Sequence, residues 1–147
     1  MKLEFHHINF VSENIDELNM FYQNIMQMET IPPEKFPRTA ATDDAGYDGK
    51  IKFVTEGTMQ MHLAEVDLTV ANKHNQEINP VEKGHIAFRT DDIEEFKTHL
   101  RKKNIQFSYY GTAFAKEWYQ IFFRDPADNV IEVDQLLDLI KPVTGRY

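Results

Sequence analysis

The sequence predicts an α+β protein built from two βαβββ modules, and two observations carry that prediction. The first is an internal repeat. Aligning His85 with His7 gives an offset of 78 residues, and the same offset carries Ile8 onto Ile86, Phe10 onto Phe88, Ile15 onto Ile93 and Glu17 onto Glu95. The second is periodicity: in each copy a histidine opens a short strand-like alternation, and a run with apolar residues at helical spacing follows it. The 147 residues fit a single domain. Within it the first module spans residues 1–66, the second 83–136, and residues 67–82 join them.

Residues 5–11 alternate as a strand, with Phe5, His7, Asn9 and Val11 on one face and His6, Ile8 and Phe10 on the other. On that reading His6 points away from His7 and serves packing. A helix over residues 15–26 follows, capped by Ser12 or Asn14, with Ile15, Leu18, Tyr22, Ile25 and Met26 on its apolar stripe. Prolines, glycines and acidic residues make 32–49 an irregular excursion of the kind that often carries specificity. Residues 51–55 and 59–65 read as strands turning at Gly57, and the second places Gln60, His62 and Ala64 on one face.

The polar segment 67–82, with Pro80, reads as a linker in which His74 is solvated. The second module repeats the order. A strand over 84–89 leads to a helix over 93–103, capped by Thr90 or Asp91, with Ile93, Phe96 and Leu100 buried and His99 beside the stripe. Strands over 105–110, 118–123 and 130–136 complete it, the last two joined by the turn DPADN. Residues 137–147 carry a few apolar side chains that could cover a surface or a partner.

Composition narrows the function. The 24 acidic against 16 basic residues give a net charge of -8, which argues against nucleic acid or an anionic membrane as partner. The absence of cysteine excludes disulfides, thiolate catalysis and cysteine zinc sites. Any metal must be held by nitrogen and oxygen. No run of about 18 apolar residues occurs, and MKLEFHHINFV lacks the apolar core of a signal peptide, so a cytoplasmic protein is expected.

A βαβββ sheet has one face against its helix and the other uncovered, and two copies can cover each other as a half-open barrel. The order HHINFV, FYQNIMQM, GHIAF, DPADNVIEV, together with the repeat, resembles the vicinal oxygen chelate superfamily over residues 5–135. That superfamily includes glyoxalase I, extradiol dioxygenases, fosfomycin-modifying enzymes and bleomycin-resistance proteins. Gln27 and Asp128 stand where the family usually has glycine.

The resemblance implies a divalent metal on the first and last strands of each module, here His7, His62, His85 and Glu132. Three imidazoles and a carboxylate suit Zn, Ni, Co, Fe or Mn and leave positions for a substrate that chelates through vicinal oxygens. It further implies lyase, isomerase or dioxygenase chemistry, with Glu132 as the catalytic carboxylate, and a homodimer. A carboxylate between Ile131 and Val133, facing a barrel interior, needs a cation or a proton. His62 replaces the glutamate of glyoxalase I, and His7, His85 and Glu132 make a two-histidine, one-carboxylate site without it. The alternative within the same fold is a metal-free small-molecule or drug-binding cleft of the bleomycin-resistance type. Candidate pocket residues are Tyr47, Tyr109, Trp118, Tyr119, Phe122 and Arg124, with Arg38, Lys50, Lys52 and Lys116 as candidate cations for an anionic substrate.

Overall fold

The computed structural model describes residues 1–137. The first module comprises β1 (Leu3–Ser12), α1 (Ile15–Asn24), β2 (Glu29–Thr30), a 3-10 turn (Pro33–Lys35), β3 (Ile51–Thr55) and β4 (Gln60–Glu65). A short helix, α2 (Val70–Lys73), lies between the modules, and the second comprises β5 (His85–Thr90), α3 (Ile93–Lys102), β6 (Ser108–Gly111), β7 (Trp118–Arg124) and β8 (Val130–Leu136). All eight strands form one open sheet in the order β2-β3-β4-β1-β5-β8-β7-β6. The two βαβββ modules are therefore joined within this chain, at the antiparallel β1–β5 seam.

The sheet curls. His62 on β4 and Trp118 on β7 are four strand spacings apart, about 19 Å in a flat sheet, yet their ring centroids are 6.1 Å apart. The concave face so formed holds the polar centre, and the helices cover the convex one. Asn14 caps α1 by accepting from the Glu17 amide at 3.1 Å, and Asp92 caps α3 by accepting from the Glu95 amide at 2.9 Å. Ile15, Leu18 and Tyr22 pack with Val54, Met61 and Leu63; Ile93, Phe96 and Leu100 pack with Ile121 and Val133.

Several expectations shift. The first helix stops at Asn24, so Ile25 and Met26 are 66% and 55% exposed rather than buried in its stripe. The cap of α3 is Asp92, while Thr90 Oγ1 accepts from the Asp92 amide. The chain over 105–107 closes the helix, the Ile105 amide donating to Leu100, and the strand begins only at Ser108. Gln27 and Asp128 adopt left-handed φ of 58° and 66°, the backbone that glycine would take.

Segment 67–82 is packed rather than free. Val70, Ile78 and Val81 join Tyr47, Ala64, Tyr110, Phe122 and Val130 in a buried cluster that plugs one end of the concave face. His74 is half-buried, not solvated: its Nε2 accepts from the Gly46 amide at 2.9 Å and its ring lies 5.2 Å from that of Tyr110. Among the described residues no helix is long and apolar enough to cross a membrane. Of the C-terminal segment 137–147, residues 138–147 lie outside the described residues.

Gly84 holds the seam. A Cβ built there would meet the Asn9 carbonyl oxygen at 2.5 Å, and that oxygen belongs to backbone that cannot swing aside. Gly84→Ala is expected to push β5 off β1 and to cost roughly 1–3 kcal/mol, measured by urea unfolding. An unchanged midpoint would show that the seam yields.

Candidate functional site

The four central strands, in the order β4-β1-β5-β8, place His62, His7, His85 and Glu132 on the concave face. Register brings them together: Asn9 lies opposite both His62 and His85, and Ala87 lies between His7 and Glu132. His85 Nε2 stands 3.0 Å from Glu132 Oε1, and His7 Nε2 stands 3.6 Å from the same oxygen. Gln120 Nε2 donates to Glu132 Oε2 at 3.1 Å. One ligand atom from each of His7, His85 and Glu132 lies within 4.8 Å of the other two. His62 stands beside this cluster, its ring stacked on His7 at 3.8 Å and its Nε2 3.1 Å from Gln60 Oε1.

Burial sets the charges. It pushes the His7 and His62 imidazoles below their usual range, so both are neutral with lone pairs available. Burial alone would push Glu132, 1% exposed, upward, but His7 and His85 hold it well below the usual carboxylate range. The result is an ionised carboxylate among imidazoles, with the Nδ1 of His85 lacking a partner. This donor set fits a borderline divalent cation, which neutral nitrogens and one carboxylate oxygen would bind.

Above the cluster lies a cavity of about 80 Å³, walled by Phe36, Phe53, Trp118 and Phe122. The long excursion forms its roof with the chain before β7. Arg38 bridges Ala115, the Thr39 amide donates to the Phe114 carbonyl at 3.2 Å, and the Lys116 amide donates to the Pro37 carbonyl at 3.1 Å. Arg38 lines the cavity while its guanidinium donates to the Gly49 and Tyr47 carbonyls.

The sequence profile of the Glyoxalase/Bleomycin resistance protein/Dioxygenase superfamily matches residues 4–133. The chain belongs to this superfamily. No match is found among curated proteins. Among solved structures, a hypothetical protein, BH1468 from Bacillus halodurans C-125, superposes with a TM-score of 0.62 at 17% identity, covering 92% of this chain and 95% of that one. Methylmalonyl-CoA epimerase from Mycobacterium tuberculosis gives 0.59 at 15% identity, covering 90% and 87%. A variant of Streptomyces coelicolor methylmalonyl-CoA epimerase in complex with 2-nitronate-propionyl-CoA gives 0.55 at 17% identity, covering 90% and 96%. At these identities the likeness is one of fold.

In this glyoxalase-superfamily chain, Tyr47, Trp118, Phe122 and Arg38 line the cavity as the sequence suggested. Tyr119 instead packs against the α3 cluster with Tyr109 stacked on it, Arg124 pairs with Glu77, and Lys50 pairs with Asp16 at the surface. His6 departs most from expectation. A bulge in β1 between Phe5 and His7 turns it toward the site, where its Nδ1 lies 2.8 Å from His7 Nδ1. Burial and Arg89 push its imidazole down to about 3.

Sequence reasoning missed Asn9, Gln120 and Asp134. Asp134 is wholly buried, two residues beyond Glu132, and accepts from Arg89 Nε at 2.6 Å. Burial and the Glu132 carboxylate push it up to about 9 against the pull of Arg89. The signal was present, since two carboxylates at i and i+2 on one strand must share a face.

Proposed function

We propose that this chain is a divalent-metal-dependent enzyme of glyoxalase type, acting by proton transfer on a compact molecule with two adjacent oxygens. The reaction is of the lyase, isomerase or epimerase kind. One observation carries the reading: His7, His85 and Glu132 converge within 4.8 Å beneath a cavity with aromatic walls. These three would hold the ion, and His62 beside them is the fourth candidate ligand. A bound ion supplies Lewis-acid polarisation of a substrate carbonyl.

The chain's own groups do the rest. The Asn9 amide nitrogen is buried without a partner and lines the cavity, so it can donate to a substrate oxygen; the unpartnered Gln120 Oε1 can accept from a hydroxyl. Glu132, ionised, and His62, neutral, are the two groups able to accept a proton from the carbon beside the carbonyl. Phe36, Phe53 and Trp118 keep water from the charge that develops there. Two of the fold neighbours are epimerases by name, which agrees with proton transfer as the common step.

Protein purified without chelator is expected to carry about one equivalent of divalent metal, measured by mass spectrometry, and His85→Ala to carry almost none. If no ion binds after reconstitution with Zn, Ni, Co, Fe and Mn in turn, the enzyme reading fails and a metal-free binding cleft takes its place.

A further inference from the structure

We propose that His6 is a positioning residue for His7: its Nδ1 accepts the proton that His7 carries on Nδ1, and this leaves His7 Nε2 free for the ion. The inference rests on the metal-dependent reading above. It begins with the backbone, because only the bulge between Phe5 and His7 lets two consecutive residues of β1 reach the same face. The two Nδ1 atoms are 2.8 Å apart, a hydrogen-bond distance at which one ring donates its N–H and the other accepts with its lone pair.

Which ring owns the proton follows from the other end of His7. Its Nε2 faces Glu132 Oε1 at 3.6 Å, beyond hydrogen-bond reach, while His85 Nε2 takes that oxygen at 3.0 Å. A neutral imidazole that gives Nε2 to an ion keeps its proton on Nδ1, so with the ion bound His6 is the acceptor. A ligating histidine needs such a partner on its second nitrogen to fix ring and tautomer. Here an imidazole fills the role, and the His6 ring is itself held edge-on against Trp118 at 5.2 Å.

A second ion is the competing use of the same atoms, since ligand atoms of His6, His7 and Asp134 also lie within 4.8 Å of one another. Arg89 opposes it. Its Nε donates to Asp134 at 2.6 Å, so a cation there would sit against a fixed positive charge.

The test is zinc binding by calorimetry on wild type, His6→Phe and His6→Asn, with the unfolding temperature of each in chelator. Asparagine places a carbonyl oxygen near the position of Nδ1, whereas phenylalanine keeps the ring and loses the acceptor. Zinc affinity is expected to fall about 10–100-fold in His6→Phe and to return to within a few-fold of wild type in His6→Asn. Ring-nitrogen NMR of zinc-loaded wild type should show His7 protonated on Nδ1 and His6 on Nε2. Equal affinity in all three proteins, equal loss in both variants, the opposite tautomers, or two zinc ions per chain would overturn the proposal while leaving the metal reading standing. Failure of wild type to bind any of Zn, Ni, Co, Fe and Mn would sink both.

Discussion

Glutamine in place of Glu132 is expected to abolish stabilisation by metal while leaving a metal-free protein that still folds, less stable than wild type by what the ionised carboxylate gains beside His7 and His85. The carboxylate is the only charged member of the proposed ligand set, and its loss removes the attraction that offsets dehydration of the ion. At a thousandfold excess over its dissociation constant an ion adds about 4 kcal/mol to the folded state. For a chain of this size that amounts to roughly 10 °C in unfolding temperature. The metal-free protein tolerates the change because Glu132 Oε1 is replaced by an amide oxygen that still accepts from His85. Gln120, whose Oε1 lacks a partner, can flip its amide to accept from the new NH₂ group. Thermal unfolding of both proteins, with and without zinc, checks this. A shift of equal size in Glu132→Gln would remove Glu132 from the ligand set.

The sequence was most legible where the repeat and the strand period spoke together. The offset picked out His7 and His85, the resemblance added Glu132, and β8 came out with its full bounds, Val130–Leu136. Legibility failed wherever a single residue changes the register. The bulge at His6 reverses the face of that side chain, and nothing in the local composition of FHHINF marks it. Segment 67–82 reads as polar by composition, yet Val70, Ile78, Pro80 and Val81 at irregular spacing are enough to plug the barrel end, because irregular backbone buries apolar residues without a period. The partners of Glu132 were hidden for a different reason. Gln120 sits on β7, and only the antiparallel register that sets Gln120 opposite Asp134 and Phe122 opposite Glu132 brings its amide to the site. The position of His62 is a matter of packing: the strand face was readable, the stacking on His7 was not.

Without metal, the protein is expected to be most stable near pH 6.5 and to lose stability on both sides. On the acid side the cause is histidine. Burial first, then neighbouring positive charge, holds His6, His7 and His62 below their usual range, so the unfolded chain takes up protons at these positions below about pH 6.5 that the folded chain refuses. Their folded pKa values are depressed, so folding loses stability as pH falls from the unfolded value towards the folded ones. Asp134 runs the other way. Its folded pKa is raised to about 9, so the folded state keeps a proton that the unfolded chain releases above about pH 4. That proton stabilises the fold at low pH, and the gain is lost progressively as pH rises towards about 9. Near pH 5.5 the unfolded chain thus takes up protons at the three histidines and lacks the one at Asp134; the histidine contribution is the larger, and each unmatched proton is worth about 1.4 kcal/mol per pH unit. Near pH 8, where the histidines of the unfolded chain are also neutral, the Asp134 slope remains, with the opposite sign. Asp134→Asn removes that ionisation and should flatten the alkaline limb and steepen the acid one, whereas His62→Gln should reduce only the acid limb. Urea unfolding in chelator from pH 5 to 9 decides it: a maximum displaced to alkaline pH, or an alkaline limb unaltered by Asp134→Asn, would show that Asp134 is ionised in the fold and that Arg89 governs it.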